Sequence, residues 1–315
     1  MEAFQNNKAL QELMQRSDFA NRLNASKTSY SQMGIQLQTV PNEKCAFAEC
    51  DGSGVLHYIN WTKKADAIEN PTKYYMKDHE IEWTEKCKCV DQSEFERKVT
   101  SSGIPGKYSK AKVHGFGIDC YKKSESQTAA RIAKQMAINY VEKYKELLSF
   151  KKNGLYLYST TKGSGKTRLA SSIANGLIKL HKQSVLFLKA TDISPQVRKT
   201  YKKDSESTEE DVLRAFRNVD VLIIDDLAVS TEKDFTEDLI GRILDHRMDK
   251  GAVTIITSNK TIDELKEHFP KGIIASRVKK MCYEVLMPEE SVRDEEAEQE
   301  NREFENLLFG KNEGA

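Results

Sequence analysis

Two groups of residues in this chain of 315 have the types and spacing that chemistry needs. The first is Ser159-Thr160-Thr161-Lys162-Gly163-Ser164-Gly165-Lys166-Thr167, followed by the helix-forming Arg168-Leu169-Ala170-Ser171-Ser172-Ile173-Ala174. The apolar run Leu155-Tyr156-Leu157-Tyr158 precedes it. The order is therefore strand, glycine loop, Gly-Lys-Thr, helix, which is the context of a phosphate-binding loop. Gly163 and Gly165 let the backbone approach phosphate oxygens with no Cβ in the way. Loop N–H groups and the helix N-terminus favour the anion. Lys166 is expected to contact the β- and γ-phosphates and Thr167 to offer its hydroxyl to Mg²⁺, with Ser164 and Arg168 in the same nucleotide-binding set. Thr160 stands where such a loop usually opens on glycine. A glycine-rich turn that binds nothing is the alternative.

A second apolar run ends in Ile223-Ile224-Asp225-Asp226-Leu227. Carboxylates at the C-terminal tip of a buried strand face ligand at the top of a parallel sheet. Asp225 is expected to hold Mg²⁺, and Asp226 to polarise the attacking water. Another run ends in Thr257-Ser258-Asn259, which offers an amide to orient that water, with capping of a helix near Thr261 as the competing reading for Ser258 and Thr261. Asn259-Lys260-Thr261-Ile262 lacks the Asp of a guanine-reading Asn-Lys-x-Asp, so adenine, hence ATP, is favoured.

The other group is cysteine. Cys45-x4-Cys50 and Cys87-x-Cys89 form two close pairs, separated by a stretch holding Trp61 and Trp83. Paired thiols match a tetrahedral Zn²⁺ site better than disulfides in a reducing compartment. The turn Cys50-Asp51-Gly52-Ser53-Gly54 is suited to aim N–H groups at sulfur. His57 or His79 in place of one thiol, or four reduced buried cysteines with no metal, remain open. Cys120 and Cys282 read as core thiols.

These groups need elements to position them. Leu155–Tyr158, Val185–Leu188, Val221–Ile224, Val253–Thr257 and Tyr283–Leu286 are five short apolar runs separated by helical stretches. They indicate an α/β fold on a parallel five-stranded sheet. Thr128–Phe150 carries an amphipathic helical stripe through Ala129, Ile132, Ala133, Met136, Ala137 and Tyr140. Ala3–Leu23 reads as a helix, and 24–40 as a polar linker. Residues 41–99 form a small module whose thin core calls for a metal staple. Ser101–Gly106 is a break.

Lys plus Arg total 49 and Asp plus Glu 48, so the net charge is +1. The balance hides a basic stretch from Lys107 to Lys152 and an acidic one from Glu289 to Glu305. No run is apolar enough to span a membrane, and Met1–Asn7 lacks the features of a secretory signal, so a cytoplasmic protein with no membrane partner is expected.

Gly163–Ala170, Asp220–Leu227, Thr254–Asn259 and Ala275-Ser276-Arg277-Val278-Lys279-Lys280-Met281-Cys282 together resemble an AAA+ ATPase, and more closely the bacterial and phage replicative-helicase loaders of the DnaC/DnaI kind. The resemblance covers about residues 100–295, with a looser likeness in the cysteine module. It implies an AAA+ P-loop module over 100–295, preceded by a zinc-binding, helicase-docking module over 41–99 and followed by an acidic tail over 296–315. It implies ATP hydrolysis, slow without partners, and self-association through the AAA+ modules. Arg277 falls where the family carries an arginine that reaches a neighbouring subunit's nucleotide. Arg293 falls where an arginine senses the nucleotide of its own subunit. Surface roles are the alternatives for both.

The implied partners are a hexameric DnaB-type helicase and single-stranded DNA. Cations and an aromatic for DNA are offered by Arg198, Lys199, Tyr201, Lys202 and Lys203, with a solvated charged loop as the other reading. Lys107–Lys112 is a second basic candidate. A transposition helper ATPase of the IstB kind, and a zinc adaptor that uses ATP as a non-hydrolysed clamp, are the competing functions.

Overall fold

The computed structural model describes residues 33–70, 72–74, 76–202, 208–228 and 233–293, with 301, 302, 304–306 and 308. The expected N-terminal helix, Lys203 and all but a few residues of the acidic tail lie outside the described residues. The chain divides into two compact units, Met1–Glu94 and Phe95–Ala315. The division lies a few residues before the Ser101–Gly106 break.

The first unit holds an antiparallel sheet of β1 (Ile35–Leu37), β2 (Val55–Asn60) and β3 (Glu82–Lys86), in the order β1-β2-β3. Helix α1 (Trp61–Glu69) follows β2, capped by the Asn60 side chain, which accepts from the Lys63 N–H at 3.0 Å. Helix α2 (Asp78–Ile81) precedes β3. Tyr58 and Trp83 stack across β2 and β3 at 5.5 Å. The buried apolar residues described here are Cys45, Cys50, Leu56, Ala65, Tyr74 and Cys87. So thin a core, half of it thiol, matches the expectation that the unit needs a staple.

Helix α3 (Lys88–Ser101) leads to α4 (Ser124–Glu142) and α5 (Tyr144–Leu147). There follow β4 (Gly154–Tyr158), α6 (Lys166–His181), β5 (Val185–Lys189), α7 (Ala190–Lys199), α8 (Glu209–Asn218) and β6 (Val221–Leu227). The described chain continues through α9 (Lys233–Lys250), β7 (Val253–Ser258), α10 (Glu264–His268), α11 (Ile273–Met281) and β8 (Cys282–Leu286). The five later strands form one parallel sheet in the order β5-β6-β7-β4-β8.

The apolar runs expected as strands are these five strands. Their alternate side chains split between two cores, as a period of two requires. Leu155, Leu157, Val221, Ile223 and Ile255 pack with α4 and α6. Tyr156, Leu222, Ile224 and Ile256 pack with α7, α8, α9 and α11. The long helix expected over 128–150 is instead α4 and α5, and Ile132, placed on its buried stripe, is exposed. Gly176 lets α6 meet α4 closely, since a Cβ there would lie 2.9 Å from Val141 Cγ1. Cys282 is buried as expected, whereas Cys120 is exposed and is no core thiol.

Arg247 of α9 is fully buried, and its guanidinium donates to the carbonyls of Phe216 (3.0 Å), Val219 (2.8 Å), Asp220 (3.2 Å) and Val253 (2.5 Å). It ties the end of α8 to the starts of β6 and β7. At the outer rim of β5, the Phe187 N–H donates to the Ser102 carbonyl at 2.7 Å. Among the described residues, no helix is long and apolar enough to cross a membrane.

Candidate functional site

The strand β4 releases the chain into residues 159–165, which curl back to start α6 at Lys166. The curl depends on Gly163 and Gly165, at φ +81° and +89°. Both sit in the left-handed region that L side chains avoid. A Cβ at Gly165 would also lie 2.9 Å from Tyr121 Oη and 3.1 Å from Phe116, so the second glycine admits a neighbouring segment as well as a ligand. Tyr121 Oη donates to the Ser164 carbonyl at 3.0 Å.

Lys166 Nζ donates to the carbonyls of Ser159 (3.1 Å) and Thr161 (2.8 Å) and to Ser164 Oγ (3.2 Å). Burial pushes its pKa down to about 8, against the opposing pull of the Asp226, Glu289 and Asp225 carboxylates.

Asp225 is 1% exposed and accepts from Thr257 Oγ1 at 2.6 Å and Thr167 Oγ1 at 3.0 Å. Burial raises its pKa above the ordinary carboxylate value, with the hydroxyl of Thr257 working against that. The strand register slips between Ile224 and Leu227, and Asp226 takes φ +55° there while its N–H donates to Thr257 Oγ1 at 2.9 Å. Asp tolerates this conformation better than most residues. The kink separates the two acids, so that Asp225 is buried under Thr167 while Asp226 lines the cleft.

That cleft is bounded by Lys162–Arg168, Asp226, Asn259, Val292 and Arg293, with Lys107 and Tyr108 at its other wall. Asn259 Oδ1 is buried there without a hydrogen-bond partner. A buried amide oxygen is costly to leave unpaired, and here it stands where a ligand or its water would satisfy it. The loop N–H groups, a buried lysine and Thr167 beside Asp225 are together the donor set for a nucleotide triphosphate with Mg²⁺.

Thr261 and Glu264 do form a reciprocal cap at the start of α10, at 2.7 and 3.2 Å, but Asn259 takes no part in it. Arg277 does not line this chain's cleft. It sits on α11 and pairs with Asp245 of α9. Lys107, counted as a basic candidate for DNA, also lines this cleft.

Sequence reasoning also missed Tyr108, Tyr121 and Glu289. They come from segments far from the loop, with no spacing that announces them. Glu289 accepts from the N–H of Thr160 at 3.0 Å and of Thr161 at 3.1 Å, at the position of the unusual opening residue.

In the first unit the Sγ atoms of Cys45, Cys50, Cys87 and Cys89 all lie within 4.8 Å of one another. The Cys45–Cys87 and Cys50–Cys89 separations are 3.7 and 3.5 Å. Sulfurs held at about 2.3 Å from a tetrahedral Zn²⁺ would sit about 3.8 Å apart. The N–H groups of Cys50 and Glu49 hold the Cys45 thiol down at about 6, while burial and the neighbouring thiols push Cys89 up to about 12. Four thiolates in one cluster need a cation, and these four fit Zn²⁺. His57 and His79 are exposed and outside the cluster, so neither replaces a thiol.

Arg198, Lys199, Tyr201 and Lys202 are all exposed at the end of α7 and just beyond it. Arg198 lies over the Phe235 ring at 5.0 Å, and Tyr201 Oη donates to Glu209 at 2.7 Å.

Residues 121–279 match the family model of the bacterial DnaA ATPase domain. The replicative helicase loader DnaC of Escherichia coli (strain K12) is 27% identical over 171 residues, covering 54% of this chain and 64% of that protein. The replicative helicase loader DnaI of Bacillus subtilis (strain 168) is 32% identical over 136 residues, covering 43% of this chain and 42% of the relative. The chain thus spans less than two thirds of the length of these curated relatives. The crystal structure of the DnaC helicase loader aligns with a TM-score of 0.49 at 19% identity, over 58% of this chain and 99% of that one. Half of this chain lies inside the matched family model, including the phosphate loop and the acidic pair, and the chain, similar in sequence to the DnaC and DnaI helicase loaders, therefore belongs to the bacterial DnaA-type AAA+ ATPase family.

Proposed function

We propose that this protein is an ATP-dependent loader that binds a hexameric replicative DNA helicase and delivers it onto single-stranded DNA at the start of replication. The observation that carries the ATP-dependent step is the Thr167 hydroxyl 3.0 Å from the Asp225 carboxylate, at a cleft that Lys166, Asp226 and Asn259 share. Lys166 and the loop N–H groups bind the β- and γ-phosphates. Thr167 and Asp225 hold Mg²⁺, which when bound draws charge from the phosphate oxygens. Asp226 accepts the proton of the attacking water, Asn259 orients that water, and Arg293 reads the nucleotide from its own subunit.

Arg277 reaches the neighbouring subunit's nucleotide when the AAA+ modules associate. Its exposed part and its pairing with Asp245 on the surface of α9 are compatible with exchange to a partner. Turnover is then slow for the lone subunit. The cysteine cluster holds Zn²⁺ and shapes the unit that grips the helicase. Arg198, Lys199, Tyr201, Lys202 and Lys203 contact DNA. The names of the relatives favour a loader over a transposition helper, and the acidic pair beside Thr167 favours hydrolysis over a static clamp.

The full chain is mixed with a DnaB-type helicase and chromatographed with and without ATP and magnesium. Co-elution that depends on ATP is expected, and Lys166→Ala abolishes it together with ATP binding. A chain that never retains helicase is not a loader. Arg277→Ala spares ATP binding and cuts hydrolysis in the assembled state. Equal hydrolysis by wild type and variant there removes the role in trans.

A further inference from the structure

The chain that follows β8 is laid along the phosphate loop. The Met287 N–H donates to the Tyr158 carbonyl at 2.8 Å, Ser159 Oγ to the Pro288 carbonyl at 2.8 Å, and the Val292 N–H to the Gly163 carbonyl at 3.2 Å. Two adjacent carboxylates anchor this stretch to different places. Glu289 takes four hydrogen bonds from the loop: Thr160 N–H at 3.0 Å, Thr160 Oγ1 at 2.5 Å, Thr161 N–H at 3.1 Å and Thr161 Oγ1 at 3.0 Å. Glu290 takes the N–H groups of Lys122 and Lys123, at 2.9 and 3.1 Å, just before α4.

A phosphate loop usually opens on glycine. Here the opening residue is Thr160, and its φ is not positive, so no glycine is required at that point. The two threonines place two hydroxyls and two N–H groups where one carboxylate satisfies them all. The link continues inward. The Thr161 carbonyl is the closest partner of Lys166 Nζ, at 2.8 Å. Whatever fixes Thr161 therefore fixes the resting place of the phosphate-binding lysine. Hydrogen bonds to an ionised acceptor are about twice as strong as neutral ones, so the charge on Glu289 matters as well as its shape.

We infer that Glu289 is a positioning residue of the nucleotide site, which clasps Thr160 and Thr161 and through them sets Lys166 and the curve of the loop. The inference rests on the triphosphate reading above. Glu290 supplies the contrast, because it anchors the same stretch without touching the loop.

The test measures Mg-ATP affinity of the full chain by calorimetry, well below the melting temperature of each variant. Glu289→Ala weakens binding about tenfold, and Glu289→Gln, which keeps one carbonyl acceptor, recovers part of that loss. Glu290→Ala stays within about twofold of wild type. Equal losses for Glu289→Ala and Glu290→Ala reduce both to scaffold and overturn the clasp. So does an unchanged affinity for Glu289→Ala. Should the alanine variant not fold, the near-isosteric Glu289→Gln decides alone, and wild-type affinity there overturns the proposal. Lys166→Ala runs in parallel. Retained binding in that variant sinks the triphosphate reading and the clasp with it, whereas lost binding there with no effect at Glu289 sinks the clasp alone.

Discussion

In the unit that ends at Glu94, half of the described buried apolar side chains are thiols of the candidate metal centre, whereas the unit from Phe95 onward buries both faces of a five-stranded sheet beneath helices. In the first, the site supplies half of the core. In the second, the site sits at the strand tips and the core lies below it. The difference teaches where chemistry and stability are coupled. Removing a ligand from the cysteine cluster removes the centre of the fold, while altering the nucleotide cleft leaves the hydrophobic layers in place.

The largest effect that would break this contrast is at the metal. Binding of a structural Zn²⁺ contributes about 10–16 kcal/mol in small zinc modules. Chelation, or Cys87→Ser with Cys89→Ser, is expected to unfold the first unit alone. Both tryptophans of the chain, Trp61 and Trp83, lie in that unit, so their fluorescence reports it selectively. Metal analysis should show loss of zinc with a red-shifted emission while Mg-ATP binding persists. Unchanged emission after zinc loss would mean that the thiols are not the staple.

Next is Arg247→Met, which strips several buried carbonyls of their donor and is expected to destabilise the second unit by about 3–5 kcal/mol. Thermal melting by circular dichroism should fall with no change in tryptophan emission at low temperature. A melt like that of wild type would show that the buried guanidinium is dispensable.

A smaller effect is read at the site itself. Burial sets the Lys166 pKa at about 8 in the nucleotide-free protein. The charged lysine binds phosphate, so affinity is full below that pH and falls as pH rises through it, by at most about tenfold per unit until the nucleotide-bound pKa is reached. Calorimetry between pH 7 and 9.5 checks the sign, and a flat profile contradicts it. The smallest is Asn60→Ala, which removes the cap of α1 and costs about 1 kcal/mol. The loss should appear in urea melts followed by tryptophan fluorescence and not in those of the ATPase unit.

The sequence made the sheet legible because parallel strands buried on both faces must be nearly continuous apolar runs. It made Lys166, Thr167 and Asp225 legible because phosphate and metal chemistry dictates both type and spacing. The four cysteines could be paired by type, and the structure brings them together. What stayed hidden depends on contacts between distant segments. Glu289 lies in an acidic run that looks like a solvated tail, and Tyr121 and Tyr108 look like ordinary aromatics ahead of a helix. Arg247 is one of two arginines on a polar-looking helix, and only the convergence of α8, β6 and β7 on it makes it central. Ile132 falls outside the buried face because periodicity fixes a helix stripe only to within the width of one residue.

The contact between Ser102 and the rim of β5 has a practical bearing. Residues 101–106 have the composition of a dispensable spacer, and a shortened ATPase domain would naturally begin after them. Yet Ser102 supplies the carbonyl that occupies the Phe187 N–H, and a Cβ at Gly103 would lie 2.6 Å from the Phe187 carbonyl. Cutting there would bare a strand margin that can zip onto another molecule. An isolated domain that starts upstream of Ser102 should stay monodisperse, where one that starts at Gly106 would clump.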